Sequence, residues 1–306
     1  MGRGGELVGR TVRGIYHEMQ QHYLSFRLLV WLKEHGITRK VNFLISHKIS
    51  HELKEDSADE RQKSREYFAA QKERAERVLS LLADEKSVNV WKEAVGYRTM
   101  GRSIGREYYS EEDQYFVKDI ICLKDGEVFV DGGSYTGDTI QQFMDTARRE
   151  KVRFKQIIGF EPDRENYGLV NKFYGKKKNI LLIPKGLSDM KKMLCFSGEG
   201  ATFGACESAG SIGGGVKIPV INIDAVPACR NATFIKMDIE GAEMDALKGA
   251  RMTIQTNYPK LAICIYHSDE DMLRIIEYIH ELVPEYRLYV RHHSKSNVET
   301  VLYAVL

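Results

Sequence analysis

Residues 128–139, VFVDGGSYTGDT, restrict the fold more than any other stretch of this chain. Val128, Phe129 and Val130 form a short apolar run suited to the pleated surface of a strand. Asp131 opens a glycine-rich turn, and the segment DTIQQFMDTA behind it is compatible with a helix. This is the strand–turn–helix setting in which a glycine pattern can mean more than geometry. Glycine lets the backbone approach a ligand with no Cβ in the way. The first turn of the helix offers N–H groups that lack intrahelical partners. The pattern reads D-x-G-x-x-x-G at Asp131, Gly133 and Gly137. It is not the dinucleotide fingerprint G-x-G-x-x-G, because Ser134 stands where the second glycine is needed, and no Gly-Lys-Ser/Thr follows as in a P-loop. An acid at the strand end, in place of a diphosphate cradle, suits a ligand that carries a cationic amino group. The same glycines would also serve an ordinary tight turn.

From this point strands and helices alternate, which predicts a doubly wound, mostly parallel α/β sheet. The expected strands are Gln156–Phe160, Ile180–Ile183, 232–237 and 261–266. Polar residues gather at their carboxyl ends, where open α/β sheets bind ligands. The runs 286–291 and 300–306 have no helix between them and predict a terminal antiparallel hairpin. Residues 197–216 are rich in glycine and read as a long loop at the rim of the sheet. IPVINI at 218–223 reads as an edge strand, since Pro219 cannot donate to a ladder.

The first third differs in character. Residues 16–34 carry apolar side chains at helical spacing, with Gly36 as a stop signal, and VNFLI at 41–45 is a short strand or a buried turn. Residues 57–83 are highly charged and helical in propensity, with pairs such as Glu73 and Arg77 at i,i+4. Tyr67, Phe68, Val78, Leu79, Leu81 and Leu82 give this segment an apolar side, so it is expected to pack on the main domain. The expected division is a helical extension over 1–110 and a ligand-binding domain over 111–306.

Composition excludes some classes. The 306 residues are 43% hydrophobic and 29% charged with a formal net charge of +2, so bulk electrostatics give no reason to expect a nucleic-acid partner. The five cysteines are odd in number and widely spaced, without metal-ligand spacing, which fits a reducing cytoplasm. No apolar run reaches the roughly 18 residues of a membrane span, and Arg3 and Arg10 are not followed by the apolar region of a signal peptide.

The expected ligand contacts follow the strand ends. Gly132, Gly133, Ser134, Thr136, Gly137, Asp138 and Thr139 line the loop and helix start beside Asp131. Glu161 follows the second strand, where an acid can accept both ribose hydroxyls or, as an alternative, serve as a helix-start acid. Pro162 fixes that turn so that Asp163 and Asn166 can face an adenine; Gly186 and Ser188 are weaker candidates for the adenine edge. A cationic amino group at Asp131 and a ribose at Glu161 together describe S-adenosylmethionine. Asp238, after the fourth strand, would sit near its sulfonium or the acceptor. Lys236, Asp238 and Glu240 alternate along an emerging strand and are expected to share one side. Asp238 and His267 are the candidates for orienting a hydroxyl or taking its proton. Glu243 reads as a first-turn helix acid. A divalent ion on Asp238, Glu240 and His267 is chemically reasonable, with Mg²⁺ or Mn²⁺ as the fitting metals, but it is the less favoured variant and no metal ligand is assigned.

VFVDGGSYTGDT, GFEPD, IPVINIDAV, FIKMDIEGAEMDALKGA, LAICIYH and the closing YRLYVRHH and ETVLYAVL together resemble the FkbM family of S-adenosylmethionine-dependent methyltransferases over about two thirds of the chain. The block KMDIEGAE at 236–243 with His267 beyond the next strand is the most specific part. The resemblance implies a class I methyltransferase-like fold and O-methyl transfer, often onto sugars or polyketide hydroxyls. The expected partners are therefore a small-molecule or saccharide acceptor and, for the assembly, a homodimer. Two alternatives share the architecture: an NAD-dependent oxidoreductase or epimerase, against which the broken fingerprint counts, and a non-catalytic nucleotide-binding module.

Overall fold

In this computed structural model the chain is described over residues 58–110, 113–196, 203–205 and 216–306. The readings for 16–34, Gly36 and 41–45, and most of the glycine-rich loop, lie outside those residues. Three helices lead: α1 (Ala58–Ala70), α2 (Lys72–Leu81) and α3 (Glu85–Met100). Alternation follows with β1 (Val128–Gly132), α4 (Asp138–Arg149), β2 (Gln156–Phe160), α5 (Arg164–Tyr174) and β3 (Ile180–Ile183). Four short strands interrupt it: β4 (Gly186–Leu187), β5 (Lys192–Phe196), β6 (Phe203–Ala205) and β7 (Val216–Ile221). Then come β8 (Phe234–Met237), α6 (Glu243–Lys248), α7 (Arg251–Asn257), β9 (Lys260–Cys264), α8 (Asp271–Leu282), β10 (Arg287–His292) and β11 (Thr300–Val305).

Among the described residues the main sheet has seven strands in the order β10-β11-β9-β8-β1-β2-β3. β1, β2, β3, β8 and β9 are parallel, and β10 and β11 form the expected antiparallel hairpin, with β11 also antiparallel to β9. The chain steps outward from β1 to β3 and then returns to the other side of β1 as β8. The strand order therefore reverses between β1 and β8, and the crevice beyond their carboxyl ends is where such sheets bind ligands.

Both faces of the sheet are covered, which is why β1 opens on three apolar residues and is buried throughout, Asp131 included. Side chains still alternate between the two faces. Phe129 enters one core with Phe116, Phe143 and Phe234, stacking on Phe143 at 4.5 Å between ring centres. Val128 and Val130 enter the other core, which is built from Ile235, Met237, Ile276 and the α3 residues Val90, Trp91 and Ala94.

α3 is bounded by its own start and stop residues. Asp84 caps it by accepting a hydrogen bond from the Ser87 N–H at 2.7 Å, and Gly101 ends it at φ 67°. Ser87, Val90, Trp91 and Ala94 are buried at helical spacing, and Trp91 Nε1 donates to the Met272 carbonyl at 3.0 Å. Leu82 bridges Leu288, which covers the exposed flank of β10. Residues Glu60–Leu306 form one compact unit.

β7 corrects the edge-strand expectation. In a second, four-stranded sheet of order β4-β7-β5-β6, it lies between two neighbours. Pro219 is tolerated because β4 pairs only with Val220 and Ile221, so at Pro219 itself β5 alone is alongside. Among the described residues no helix is long and apolar enough to cross a membrane.

Because α3 closes one core, Trp91→Ala is expected to destabilise the protein by about 3–5 kcal/mol, the range for truncating a buried Trp. Urea unfolding checks this, and an unchanged midpoint would show that α3 is not part of the core.

Candidate functional site

The glycine loop is fixed from below by charge. Asp131 on β1 and Lys236 on β8 are register partners, and both side chains are almost completely buried. Lys236 Nζ lies 3.1 Å from Asp131 Oδ1 and donates to the carbonyls of Gly132 at 3.0 Å and Gly133 at 2.9 Å. Burial works against the ammonium charge, but Asp131 and Asp238 outweigh it, so Lys236 is held above its ordinary range. The cation that Asp131 meets is therefore Lys236. Asp131, expected to accept the amino group of a ligand, and Lys236, expected among the catalytic residues, thus lie side by side beneath the loop.

The loop itself is tight. The N–H groups of Gly133 and Ser134 both donate to the Phe160 carbonyl, at 3.1 and 3.0 Å. Gly133 has φ 77°, and a Cβ there would stand 2.0 Å from the Asp238 carbonyl oxygen. Gly137, at φ 91°, begins α4, and its Cβ would stand 2.5 Å from the Tyr174 ring. Ser134 points inward to the Asp131 carbonyl at 3.1 Å, Thr136 and Thr139 are buried, and Asp138 is exposed in the first turn of α4.

Glu161 closes the crevice beyond β2. One carboxylate oxygen accepts from the Tyr135 N–H at 2.7 Å and the other from the Asp163 N–H at 2.9 Å. Each oxygen keeps a lone pair for a second donor. Burial pushes the Glu161 carboxyl up to about 7, against those two backbone donors. Asp163 is the N-cap of α5, its carboxylate accepting from the N–H groups of Glu165 and Asn166, so its side chain is engaged in the helix start. Pro162 lies against Gly186. Ser188 is buried and its hydroxyl donates to Asp189 at 3.0 Å.

Across β8 lies an acidic cluster around one imidazole. Asp238 accepts hydrogen bonds from Tyr115 at 2.8 Å and Tyr266 at 3.1 Å, one on each oxygen. His267 Nε2 is 3.6 Å from Asp238 Oδ1, and Nδ1 is 3.2 Å from Glu243 Oε1. Glu243 is fully buried at the start of α6 and accepts from the Ile239 N–H at 2.8 Å. Burial opposes a charge on His267, but Glu243, Asp238 and Glu240 together raise it above its ordinary value. Of Lys236, Asp238 and Glu240, only Lys236 lies within the strand. The strand ends at Met237, Glu240 turns into the left-handed region at φ 57°, and its side chain is 73% exposed, 3.7 Å from His267.

The sequence reading missed Tyr115 and Tyr266 as partners of Asp238 and gave Glu243 only a helix-start role. It also missed Glu299, which burial and the charge of Asp238 push up to about 7. Tyr266 directly precedes His267, a signal that was readable; Tyr115 and Glu299 come from distant loops, and no spacing rule would have found them.

Comparison with known proteins agrees with this geometry. The sequence model of a family described as "Methyltransferase FkbM domain" matches residues 131–292. The structure is similar to that of a methyltransferase FkbM from Methylobacillus flagellatus KT, with 26% identity and a TM-score of 0.63 over 78% of this chain; the chain spans 59% of that protein's length. Weaker similarity relates it to an rRNA methylase from Streptococcus thermophilus, with 16% identity and a TM-score of 0.38 over 63% of this chain and 92% of that one. Aeropyrum pernix fibrillarin, solved with S-adenosyl-L-methionine, shows 15% identity and a TM-score of 0.41 over 64% of this chain and 74% of that one. No curated protein matches the chain.

The raised Glu161 carboxyl has a consequence for stability. Its proton is held more tightly in the folded chain than in the unfolded one, where it titrates near 4.5. Ionisation therefore withdraws stability as pH rises from 4.5 to about 7. In Glu161→Gln the fall in urea midpoint across that window should be smaller than in the unmodified protein; an identical pH profile would show that the carboxyl is not raised.

Proposed function

The chain belongs to the FkbM methyltransferase family, and from that premise we propose that it transfers a methyl group from S-adenosylmethionine to a hydroxyl oxygen of a sugar or glycan-type acceptor. The observation that carries this reading is the juxtaposition at the β1/β8 reversal. A Glu161 carboxylate with spare acceptor capacity and a glycine loop that tolerates no Cβ stand on one side, and Asp238 and His267 stand on the other. The residues present fit the cofactor: Glu161 can accept two ribose hydroxyls, and the loop backbone at 132–137 allows close approach. When bound, the cofactor supplies a sulfonium methyl group open to displacement.

The chain's own task is alignment and proton removal. The acceptor oxygen must be held in line with the methyl carbon. Asp238, fixed by two phenolic hydroxyls, and His267, 3.6 Å from it, would present polar groups to that hydroxyl. The hydroxyl proton leaves as the new O–C bond forms, and a positioned base contributes about 10²–10⁴-fold to such a step.

Incubation with methyl-labelled S-adenosylmethionine and a panel of nucleotide sugars, glycans and lipid-linked saccharides, read by mass spectrometry, tests the proposal. One methyl group added at an acceptor oxygen is expected; methylation only at nitrogen or carbon would contradict it. Glu161→Ala should weaken S-adenosylhomocysteine binding by roughly 1.5–3 kcal/mol, the scale of hydrogen bonds to a charged group. His267→Ala should lower turnover by about 10²-fold or more while that affinity is retained. Unchanged affinity in Glu161→Ala would remove the ribose assignment, and near-normal turnover in folded His267→Ala would remove His267 from the reaction.

A further inference from the structure

We propose that Asp238, Glu243 and His267 form a binding site for a divalent cation of the Mn²⁺/Mg²⁺ class. Each offers one ligand atom, and these atoms lie within 4.8 Å of one another, at the carboxyl edge of β8 and β9 and the start of α6. With metal–ligand bonds of about 2.1 Å, ligand atoms stand about 3 Å apart at right angles and about 4.2 Å apart when opposed, so the three side chains would draw together around the ion.

Three observations support a cation here. The first is unspent hydrogen-bonding capacity. Glu243 is fully buried, yet its Oε2 has no hydrogen-bond partner, and neither imidazole nitrogen of His267 has one. The 3.2 Å approach of Nδ1 to Glu243 lacks hydrogen-bond geometry. Leaving such groups buried and unpaired is costly unless something else satisfies them. The second is charge. Asp238, Glu240 and Glu243 surround a single imidazole. Lys236, the nearby ammonium, is committed to Asp131 and to two glycine carbonyls. The third is fixation. Tyr115 and Tyr266 hold Asp238, and the Ile239 N–H holds Glu243, so two ligands are oriented by the polar groups behind them while each retains a free lone pair.

Two carboxylates with one imidazole suit Mn²⁺, which accepts oxygen and nitrogen ligands alike, and the remaining coordination positions would stay open toward the crevice. An ion there would hold an acceptor oxygen and make its proton easier to lose. That consequence rests on the methyltransferase reading; the site itself does not. The ligand set also differs from the one the sequence suggested, since Glu243 takes the place of the exposed Glu240.

The test uses the full chain stripped of metal by chelation. Mn²⁺ is titrated in and followed by the electron paramagnetic resonance of the free ion, while S-adenosylhomocysteine is titrated separately by calorimetry. One Mn²⁺ per chain is expected, displaceable by excess Mg²⁺, and its binding should broaden the His267 ring resonances. Glu243→Gln and His267→Ala should each weaken Mn²⁺ by about tenfold or more, the scale for losing even a supporting group. Absence of bound Mn²⁺ in the folded, unmodified chain would overturn the proposal whether or not the variants fold. Unaltered affinity in both folded variants, or Mn²⁺ bound with the His267 resonances untouched, would overturn it as well. Loss of S-adenosylhomocysteine binding with Mn²⁺ binding intact would remove the methyltransferase reading and leave the ion site standing.

Discussion

The buried pair of Asp131 and Lys236 is the constraint around which the site is arranged. It ties β1 to β8 at the point where the strand order reverses, and the same ammonium holds the carbonyls of Gly132 and Gly133. A charge on either residue alone would be stranded in the core of the sheet, at a cost of about 3–5 kcal/mol. Together they let the chain pass from a buried strand into a tight turn where Gly133 and Gly137 have no room for a Cβ. Gly133 then passes so close to the Asp238 backbone that the loops after β1 and β8 form one surface.

That surface is completed from elements remote in sequence. Tyr115 reaches Asp238 from the segment before β1, and Glu243 reaches His267 from α6. The loop carrying His267 is held from behind by α3. Arg98 donates to the Tyr266 carbonyl and pairs with Asp269 at 2.9 Å. Arg74 on α2 pairs with Glu270 and Glu277. The charged helices ahead of the sheet thus do more than cover apolar surface, since they fix the backbone on either side of His267.

Much of this was legible in the residues. The alternation after residue 128, the closing hairpin and the gathering of Asp131, Glu161, Asp238 and His267 at strand ends follow from local pattern and from the rule that binding residues sit at the carboxyl edge. The misreadings have local causes too. Period-two alternation was extended past Met237, where the strand had already ended, so Glu240 was placed with Lys236 and Asp238. α3 carries readable signals of its own, a cap at Asp84 and a buried stripe at Ser87, Val90, Trp91 and Ala94. The second sheet depends on pairing β4, β5 and β7 across a long insertion, and no local signal specifies such pairing. The pairing of Asp131 is not legible locally, because Lys236 lies 105 positions further along the chain.

A double-mutant cycle on Asp131→Asn and Lys236→Gln, followed by chemical denaturation, tests most directly whether this pair organises the site. Each single change should destabilise the protein by about 3–5 kcal/mol, and the double change should cost markedly less than the sum, because neither charge is then left unpaired. Strictly additive effects would contradict the account.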